Sequence, residues 1–114
     1  MAAEKTFENK IKKFIEGSGG WQVKFFANRM TRSGIPDILS CINGYFVGIE
    51  VKGPNGTPSE LQKYHRDKIN KSNGIAIILY PQDYDLFKEL VKCLNKCDET
   101  EAWRLAYEIN KRSA

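Results

Sequence analysis

The spacing of apolar and polar residues along the chain predicts four helices and four strands. Apolar side chains recur at intervals of three and four over residues 5–16, which is typical of an amphipathic helix. Apolar and β-branched runs at residues 21–26, on both sides of residues 43–44 and at residues 75–80 predict strands. The remaining helices are predicted over residues 57–72, 83–96 and 99–111.

Two of these elements carry more specific expectations. In the segment Thr57-Pro58-Ser59-Glu60, Thr57 is expected to cap the second helix, with Pro58 at the first helical position and Glu60 completing a capping box. Trp21 and Phe25 lie on the predicted first strand, and both are expected to belong to the core.

The order of the elements predicts an α/β fold with a mixed sheet. The first three strands can form an antiparallel meander. Residues 53–74 then supply a helix and enough chain for a right-handed crossover to a parallel fourth strand. We therefore expect an αβββαβ core with helices on both faces of the sheet, followed by extra C-terminal helices. A length of 114 residues suits one domain that spans residues 1–114.

The stretch GIPDILSCINGYFVGIEVK, residues 34–52, predicts a hairpin that contains charged residues. Asn43-Gly44 favours a two-residue type I′ turn, in which both central residues have positive φ. With that turn, Asp37 lies opposite Glu50, and Lys52 projects from the same face two residues beyond Glu50. Two carboxylates and one ammonium group are therefore expected in one small cluster.

Without a counter-charge, the two carboxylates of this cluster would repel each other. Like charges directly opposite on adjacent strands destabilise a sheet, so one carboxylate would take up a proton or bind a cation. Mg²⁺ prefers oxygen ligands and is usually held by one or two carboxylates. The structural alternative is that Lys52 bridges the two acids and only stabilises the hairpin.

The same residues resemble a known nuclease signature. Ile35-Pro36-Asp37 followed by Glu50-Val51-Lys52 is similar to the PD-(D/E)xK motif. The wider pattern resembles the virus-type replication-repair nuclease (VRR-NUC) domain, and it adds Gly34, Gln62 and Gly74. This resemblance covers most of the chain. It implies a restriction-endonuclease-like fold and a metal-dependent endonuclease that hydrolyses phosphodiester bonds in DNA.

The resemblance also implies roles for individual residues. Asp37, Glu50 and the backbone carbonyl of Val51 would bind Mg²⁺ or Mn²⁺. Lys52 would orient or help deprotonate the attacking water, or offset charge on the transition state. Gln62 would hold Lys52 or a water molecule in the site; the alternative is an exposed helix glutamine without a role in the site.

Glu8 is a further candidate metal ligand. It lies beside the apolar stripe of the first helix, on the side of Ile11 and Ile15. The resemblance implies this role, because a glutamate on the corresponding helix often reaches the metal in the VRR-NUC family. The alternative is a solvated position in which Glu8 pairs with Lys12 four residues later.

The charge distribution fits a phosphate-rich partner. The chain has a net charge of +4, and its excess of basic residues lies in the N-terminal two-thirds. Contacts with phosphates position a nucleic acid without reading its sequence. The residues expected to contact DNA phosphates are Lys24, Arg29, Arg32, Lys63 and Arg66.

A homodimer is expected, because one chain supplies one metal cluster and coordinated cutting of two strands needs two copies. The resemblance implies the same, since single-domain, phage-type members of the family act on branched DNA such as four-way junctions as dimers. Part of the apolar set in the C-terminal region is expected to pair with the second copy. This set comprises Leu86, Leu90, Val91, Leu94, Trp103, Leu105, Ala106 and Ile109.

Other features narrow the class of protein. No apolar run approaches the ~20 residues that a membrane helix needs, and three cysteines suit a reducing compartment rather than a disulfide framework. A cytoplasmic location, in the bacterial host of a phage-type protein, is therefore expected, with no small-molecule cofactor. Two alternatives stay open: a non-catalytic nucleic-acid-binding module of the same fold, and an RNA-directed nuclease.

Overall fold

The computed structural model describes residues 2–26 and 33–114, and it contains the predicted helices and strands in the predicted order. The elements are α1 (Ala2–Gly17), β1 (Trp21–Lys24), β2 (Ile38–Ile42), β3 (Tyr45–Val51), α2 (Glu60–Lys71), β4 (Ile75–Leu79), α3 (Tyr84–Asn95) and α4 (Glu99–Asn110). Short 3-10 helices follow β4 at Pro81–Asp83 and α4 at Lys111–Ser113.

The four strands form one mixed sheet in the order β1-β2-β3-β4. β1, β2 and β3 are antiparallel neighbours, and β4 is parallel to β3. The hairpin has the predicted register, with Ile42 opposite Tyr45. Asn43 and Gly44 have φ angles of 50° and 87°, which are the positive values that a type I′ turn requires. The predicted meander and parallel crossover are both confirmed.

Helices cover both faces of the sheet. Alternate residues of β2, β3 and β4, such as Ile38, Ile49 and Ile77, are fully or almost fully buried, and they pack in one apolar core with α1, α3 and α4. α2 packs on the opposite face, against β3 and β4, on the side of the sheet that carries Glu50. This is the predicted restriction-endonuclease-like arrangement, with α3 and α4 as the extra C-terminal helices.

The outer edge of β4 is closed by two asparagine side chains. Asn70 of α2 donates to the Ala76 carbonyl at 3.1 Å and accepts from the Ala76 N–H at 2.8 Å. Asn110 of α4 donates to the same carbonyl at 2.9 Å and accepts from the Ile78 N–H at 3.0 Å. These bonds satisfy groups that an open edge strand would present to another chain.

The C-terminal apolar residues do not form the free surface that was expected of them. α3 and α4 pack against each other, and most of the set is buried within the chain because both helices turn their apolar faces to the core. The buried members are Leu90, Val91, Leu94, Leu105, Ala106 and Ile109, and Leu86 and Trp103 pack against them. The expectation of a subunit contact is therefore wrong for the six buried residues, and for Leu86 and Trp103 it stays a prediction.

One exposed apolar surface lies on the sheet, on the face opposite α1 and α3. Trp21 is 61% exposed, so its expected place in the core is wrong; Phe25 follows the end of β1 and is half-buried. Trp21, Cys41 and Phe46 lie side by side across β1, β2 and β3, with Val23 next to Trp21 on the same face. α2 is displaced towards β3 and β4, which leaves this part of the sheet open.

Within the described ranges, none of the helices combines the length and the apolar composition that crossing a bilayer requires.

Candidate active site

The hairpin brings Asp37 and Glu50 together at one end of the sheet. Asp37 immediately precedes β2, and its Oδ2 atom accepts a hydrogen bond from the Val51 N–H at 2.9 Å. Its own backbone carbonyl accepts from the Phe25 N–H at 2.8 Å. Asp37 is thus held by the main chains that follow β1 and end β3, which fixes its carboxylate beside Glu50.

Glu50 is buried but only partly satisfied. It is 5% exposed. Its Oε2 atom accepts a hydrogen bond from Gln62 Nε2 at 2.9 Å and lies 3.6 Å from Lys52 Nζ. Its Oε1 atom is also buried and receives no hydrogen bond from any described residue. Burial and the neighbouring Asp37 carboxylate raise the pKa of Glu50 from 4.5 to about 8, although Lys52 acts in the opposite direction.

α2 begins two residues later than predicted. This start places Gln62 at the third helical position, from which its side chain reaches Glu50. Ser59, not Thr57, is the N-cap: its Oγ accepts from the Gln62 N–H at 3.1 Å, and Gln62 Oε1 accepts from the Ser59 N–H at 2.9 Å. Gln62 completes the capping box as well as a glutamate would, and its amide nitrogen remains free to donate to Glu50. Gln62 thus contacts Glu50 instead of Lys52, the first of its two expected partners, and the expected contact with a water molecule in the site stays a prediction.

Gly34 allows the segment before Asp37 to lie directly against the start of α2. Its φ angle is +82°, and a Cβ atom at this position would be 2.7 Å from the carbonyl carbon of Leu61. A side chain would therefore force the loop and the helix apart. The Gly before Pro36-Asp37 was part of the sequence pattern, and its physical reason is this close approach.

Glu8 is buried and paired with lysines, so the expected solvated position is wrong, while its role as a metal ligand stays a prediction. Lys12 Nζ is 2.9 Å from its Oε2 atom, as the alternative for Glu8 predicted. Lys24 Nζ is 2.8 Å from its Oε1 atom and 3.6 Å from Asp37 Oδ1. Burial raises the pKa of Glu8, but Lys24 and Lys12 outweigh this effect and the net shift is downward.

Lys24 was expected to contact DNA phosphates and instead belongs to the acidic cluster. Burial lowers its pKa, but Glu8 and Asp37 together raise it above its usual value. Its position could not be read from the sequence, because the long segment between β1 and β2 leaves the register of β1 open. With β1 in place, Lys24 lies opposite Ile38, next to Asp37.

The other predicted phosphate contacts differ in their placement. Arg66 is buried: its guanidinium donates to Ser113 Oγ at 2.6 Å and to Asp67 Oδ1 at 2.9 Å, so it ties α2 to the C-terminus and does not present its charge to a substrate. Lys63 is partly exposed and 3.9 Å from Glu60. Arg29 and Arg32 lie outside the described residues.

The Asp37–Glu50 pair fits Mg²⁺ or Mn²⁺ by the chemistry of its donors. No three His, Cys, Asp or Glu side chains converge as a metal-binding group in residues 2–26 and 33–114, so the described site offers two carboxylates, the usual number for Mg²⁺. The Val51 carbonyl points to the same edge of β3 as the N–H that Asp37 holds. The unpartnered, buried Oε1 atom of Glu50 is the clearest sign that a cation or proton is needed here.

Comparison with known proteins supports the fold. A solved structure described as a VRR_NUC domain superposes with a TM-score of 0.63, covers 82% of this chain and 95% of its own, and is 24% identical in sequence. No family model matches the chain, and no curated protein matches it. The chain therefore has the fold of a VRR-NUC domain, as the resemblance implied.

Proposed function

We propose that this chain, which shares the fold of a VRR-NUC domain, is a nuclease that hydrolyses phosphodiester bonds with a divalent metal ion. The observation that carries the proposal is the Asp37–Glu50 pair, in which one buried oxygen of Glu50 receives no hydrogen bond from the part of the chain that the structure describes. A purely structural pair of acids would have both carboxylates satisfied, because buried polar groups are almost always hydrogen-bonded. Among the ion pairs of the described residues, Glu50 has one with Lys52, and Lys52 lies 3.6 Å from the other oxygen, Oε2.

The residues of the site divide into ligands and supporting groups. Asp37, Glu50 and the Val51 carbonyl would hold Mg²⁺ or Mn²⁺, which when bound supplies Lewis-acid stabilisation of phosphate charge and activation of water. Gln62 keeps Glu50 in place from α2. Lys52, 3.6 Å from Glu50, would orient the attacking water, accept its proton, or offset charge that develops on the phosphate.

DNA is the proposed substrate. The net charge of +4 favours a polyanion, and Lys63, Arg29 and Arg32 remain the candidate phosphate contacts once Lys24 and Arg66 are assigned to internal contacts. An RNA-directed nuclease and a non-catalytic binding module remain the alternatives. The retained Asp37, Glu50 and Lys52 favour catalysis, since binding alone does not require them.

The test is a cleavage assay on matched substrates. Linear duplex DNA, a four-way DNA junction, a DNA flap and RNA of the same sequence are each incubated with Mg²⁺, Mn²⁺ or EDTA. We expect cleavage of DNA with either metal and none with EDTA. Cleavage of RNA alone would replace DNA as the substrate, and binding of nucleic acid without cleavage under any condition would favour the non-catalytic module.

We further propose a homodimer that prefers branched DNA. Coordinated cutting of two strands needs two sites, and no separate DNA-reading module is evident within the described residues, so recognition would rest on DNA shape and phosphate geometry. The supporting surface is the open face of the sheet, defined by Trp21, Val23, Cys41 and Phe46, which includes the outermost strand of the described sheet, β1.

One chain has a mass of 13.0 kDa, and light scattering at micromolar concentration should give twice this mass. Trp21→Ala should shift the protein towards the monomer, whereas Tyr107→Ala, which removes an equally exposed aromatic from α4, should not. A monomeric wild type, or equal cleavage of junction and linear duplex, would remove this finer proposal and leave the nuclease assignment in place.

A further inference from the structure

Lys24 lies between two carboxylates that come from different parts of the fold. Its Nζ atom is 2.8 Å from Glu8 on α1 and 3.6 Å from Asp37, which immediately precedes β2. The side chain is 22% exposed, and its Nζ atom also lies 5.9 Å from the centre of the Phe26 ring. Lys24 therefore links the acid on the helix to a candidate metal ligand of the hairpin.

Lys12 provides a comparison within the same cluster. Its side chain is 20% exposed, almost the same as that of Lys24, and its Nζ atom is 2.9 Å from the other oxygen of Glu8. Among the described ion pairs, however, Lys12 contacts Glu8 and not Asp37. Two lysines of similar burial thus share one glutamate, and they differ in whether they also contact the hairpin acid.

We propose that Lys24 is a positioning residue that competes with the divalent metal ion. In the metal-free protein its ammonium group neutralises Asp37 and pairs with Glu8 Oε1, which keeps that oxygen from binding a metal ion, and metal binding displaces it. Glu8, released from Lys24, then becomes available to the metal as a third carboxylate. This inference rests on the proposed function, since it takes the hairpin acids to be metal ligands.

The expected effect follows from the charges. A unit charge within about 4–6 Å commonly changes the proton affinity of an ionisable group by 1–3 pKa units, and a divalent cation at the same place is repelled more strongly than a proton. Removing the charge of Lys24 should therefore strengthen metal binding by roughly tenfold or more. The same change should destabilise the metal-free protein, because Glu8 and Asp37 lose a shared counter-charge.

The experiment measures Mn²⁺ affinity by isothermal titration calorimetry at fixed ionic strength, without nucleic acid. Lys24→Met is compared with wild type and with Lys12→Met as the matched control. We expect roughly tenfold tighter binding for Lys24→Met and less than a threefold change for Lys12→Met. In EDTA, Lys24→Met should melt at a lower temperature than wild type, and saturating Mn²⁺ should narrow that difference.

Two further variants test why Mn²⁺ binding becomes tighter when Lys24 loses its charge. Lys24→Gln keeps a hydrogen-bond donor for Glu8 but removes the charge, so it should also bind Mn²⁺ more tightly, and it replaces Lys24→Met if that variant does not fold. Adding Glu8→Gln to Lys24→Met should reverse much of the gain, because the released carboxylate is then missing. This double-mutant cycle measures the coupling between the two side chains.

The outcomes separate the inference from the proposed function. If wild type binds Mn²⁺ and neither uncharged Lys24 variant binds it more tightly, Lys24 does not compete with the metal and the inference is wrong, while the nuclease assignment stands. A gain of equal size in Lys12→Met, or a gain unaffected by Glu8→Gln, would also overturn it. If wild type binds no Mn²⁺ at all, the proposed metal site fails and the inference fails with it.

Discussion

Replacing Glu50 with Gln is expected to abolish cleavage and, at the same time, to stabilise the metal-free protein at alkaline pH. The amide keeps the size of the side chain but cannot supply a charged ligand to Mg²⁺ or Mn²⁺. In the metal-free protein, however, the charge is unfavourable, because Glu50 is buried beside Asp37 and has an unpartnered oxygen. The same substitution should therefore harm function and help folding.

The pH dependence of this effect has a definite sign. The pKa of Glu50 is about 8 in the folded protein against 4.5 as the ordinary value. Between these values the native state holds a proton that the unfolded chain releases, so the stability of the metal-free wild type should fall as pH rises from about 4.5 to 8. Glu50→Gln lacks this loss. The two proteins should be similar near pH 4.5 and should diverge, by a few kcal/mol at most, towards pH 9.

Urea unfolding in EDTA at pH 5, 7 and 9 would measure the divergence, and Mg²⁺ should stabilise the wild type but not the variant. Asp37→Asn is the companion variant. It keeps an acceptor for the Val51 N–H and removes the like charge beside Glu50, so it should also lose cleavage while its fold survives. If either variant cleaved DNA at the rate of the wild type, the site would be assigned wrongly.

The sequence predicts the fold well because its strongest signals are local. Asn43-Gly44 sets the turn, the turn sets the register of β2 and β3, and this register places Asp37 beside Glu50. The length of residues 53–74 then allows the parallel crossover to β4. Each of these steps depends on neighbouring residues or on chain length, which a single sequence shows directly.

The errors concern contacts between distant elements. The local sequence pattern around Trp21 is the same whether its side chain is exposed or buried. The side chain is exposed because α2 covers β3 and β4 but not β1. Likewise, the apolar residues of α3 and α4 have the same periodicity whether they pack on each other or on a second subunit. Packing partners far along the chain decide such questions, and spacing does not encode them.

The same limit separates the parts of the site. Asp37, Glu50 and Lys52 lie on one hairpin, so their proximity follows from register. Lys24 and Arg66 are basic residues whose charge suggests phosphate contacts, yet the structure places one against Glu8 and Asp37 and the other against the C-terminal Ser113. The pairing of Lys24 with the buried Glu8 depends on how β1 and α1 pack against each other, which the sequence does not show.

Lys52→Met is expected to reduce turnover by something like 10²–10⁴-fold, the usual range for a group that transfers a proton, while metal and DNA binding persist. Lys52 directly follows β3, and its N–H donates to the Leu79 carbonyl at 3.0 Å. The turn that follows packs on its side chain, since a Cβ at Gly56 would lie 3.2 Å from Lys52 Cδ. The ammonium group is thus fixed 3.6 Å from Glu50.

Lys52→Arg distinguishes the two chemical roles of this residue. Arginine keeps the positive charge but does not release its proton in proteins, so it should restore part of the rate if Lys52 acts through charge and none if Lys52 accepts a proton. Single-turnover cleavage measures the rate, and calorimetry with Mn²⁺ measures the retained metal site.

Lys63→Met is the control, since it removes a partly exposed lysine from α2. It should weaken DNA binding and the salt dependence of that binding rather than turnover. If Lys52→Met loses Mn²⁺ binding together with activity, Lys52 holds Glu50 in place as a structural ion pair, and the catalytic role assigned to it is wrong.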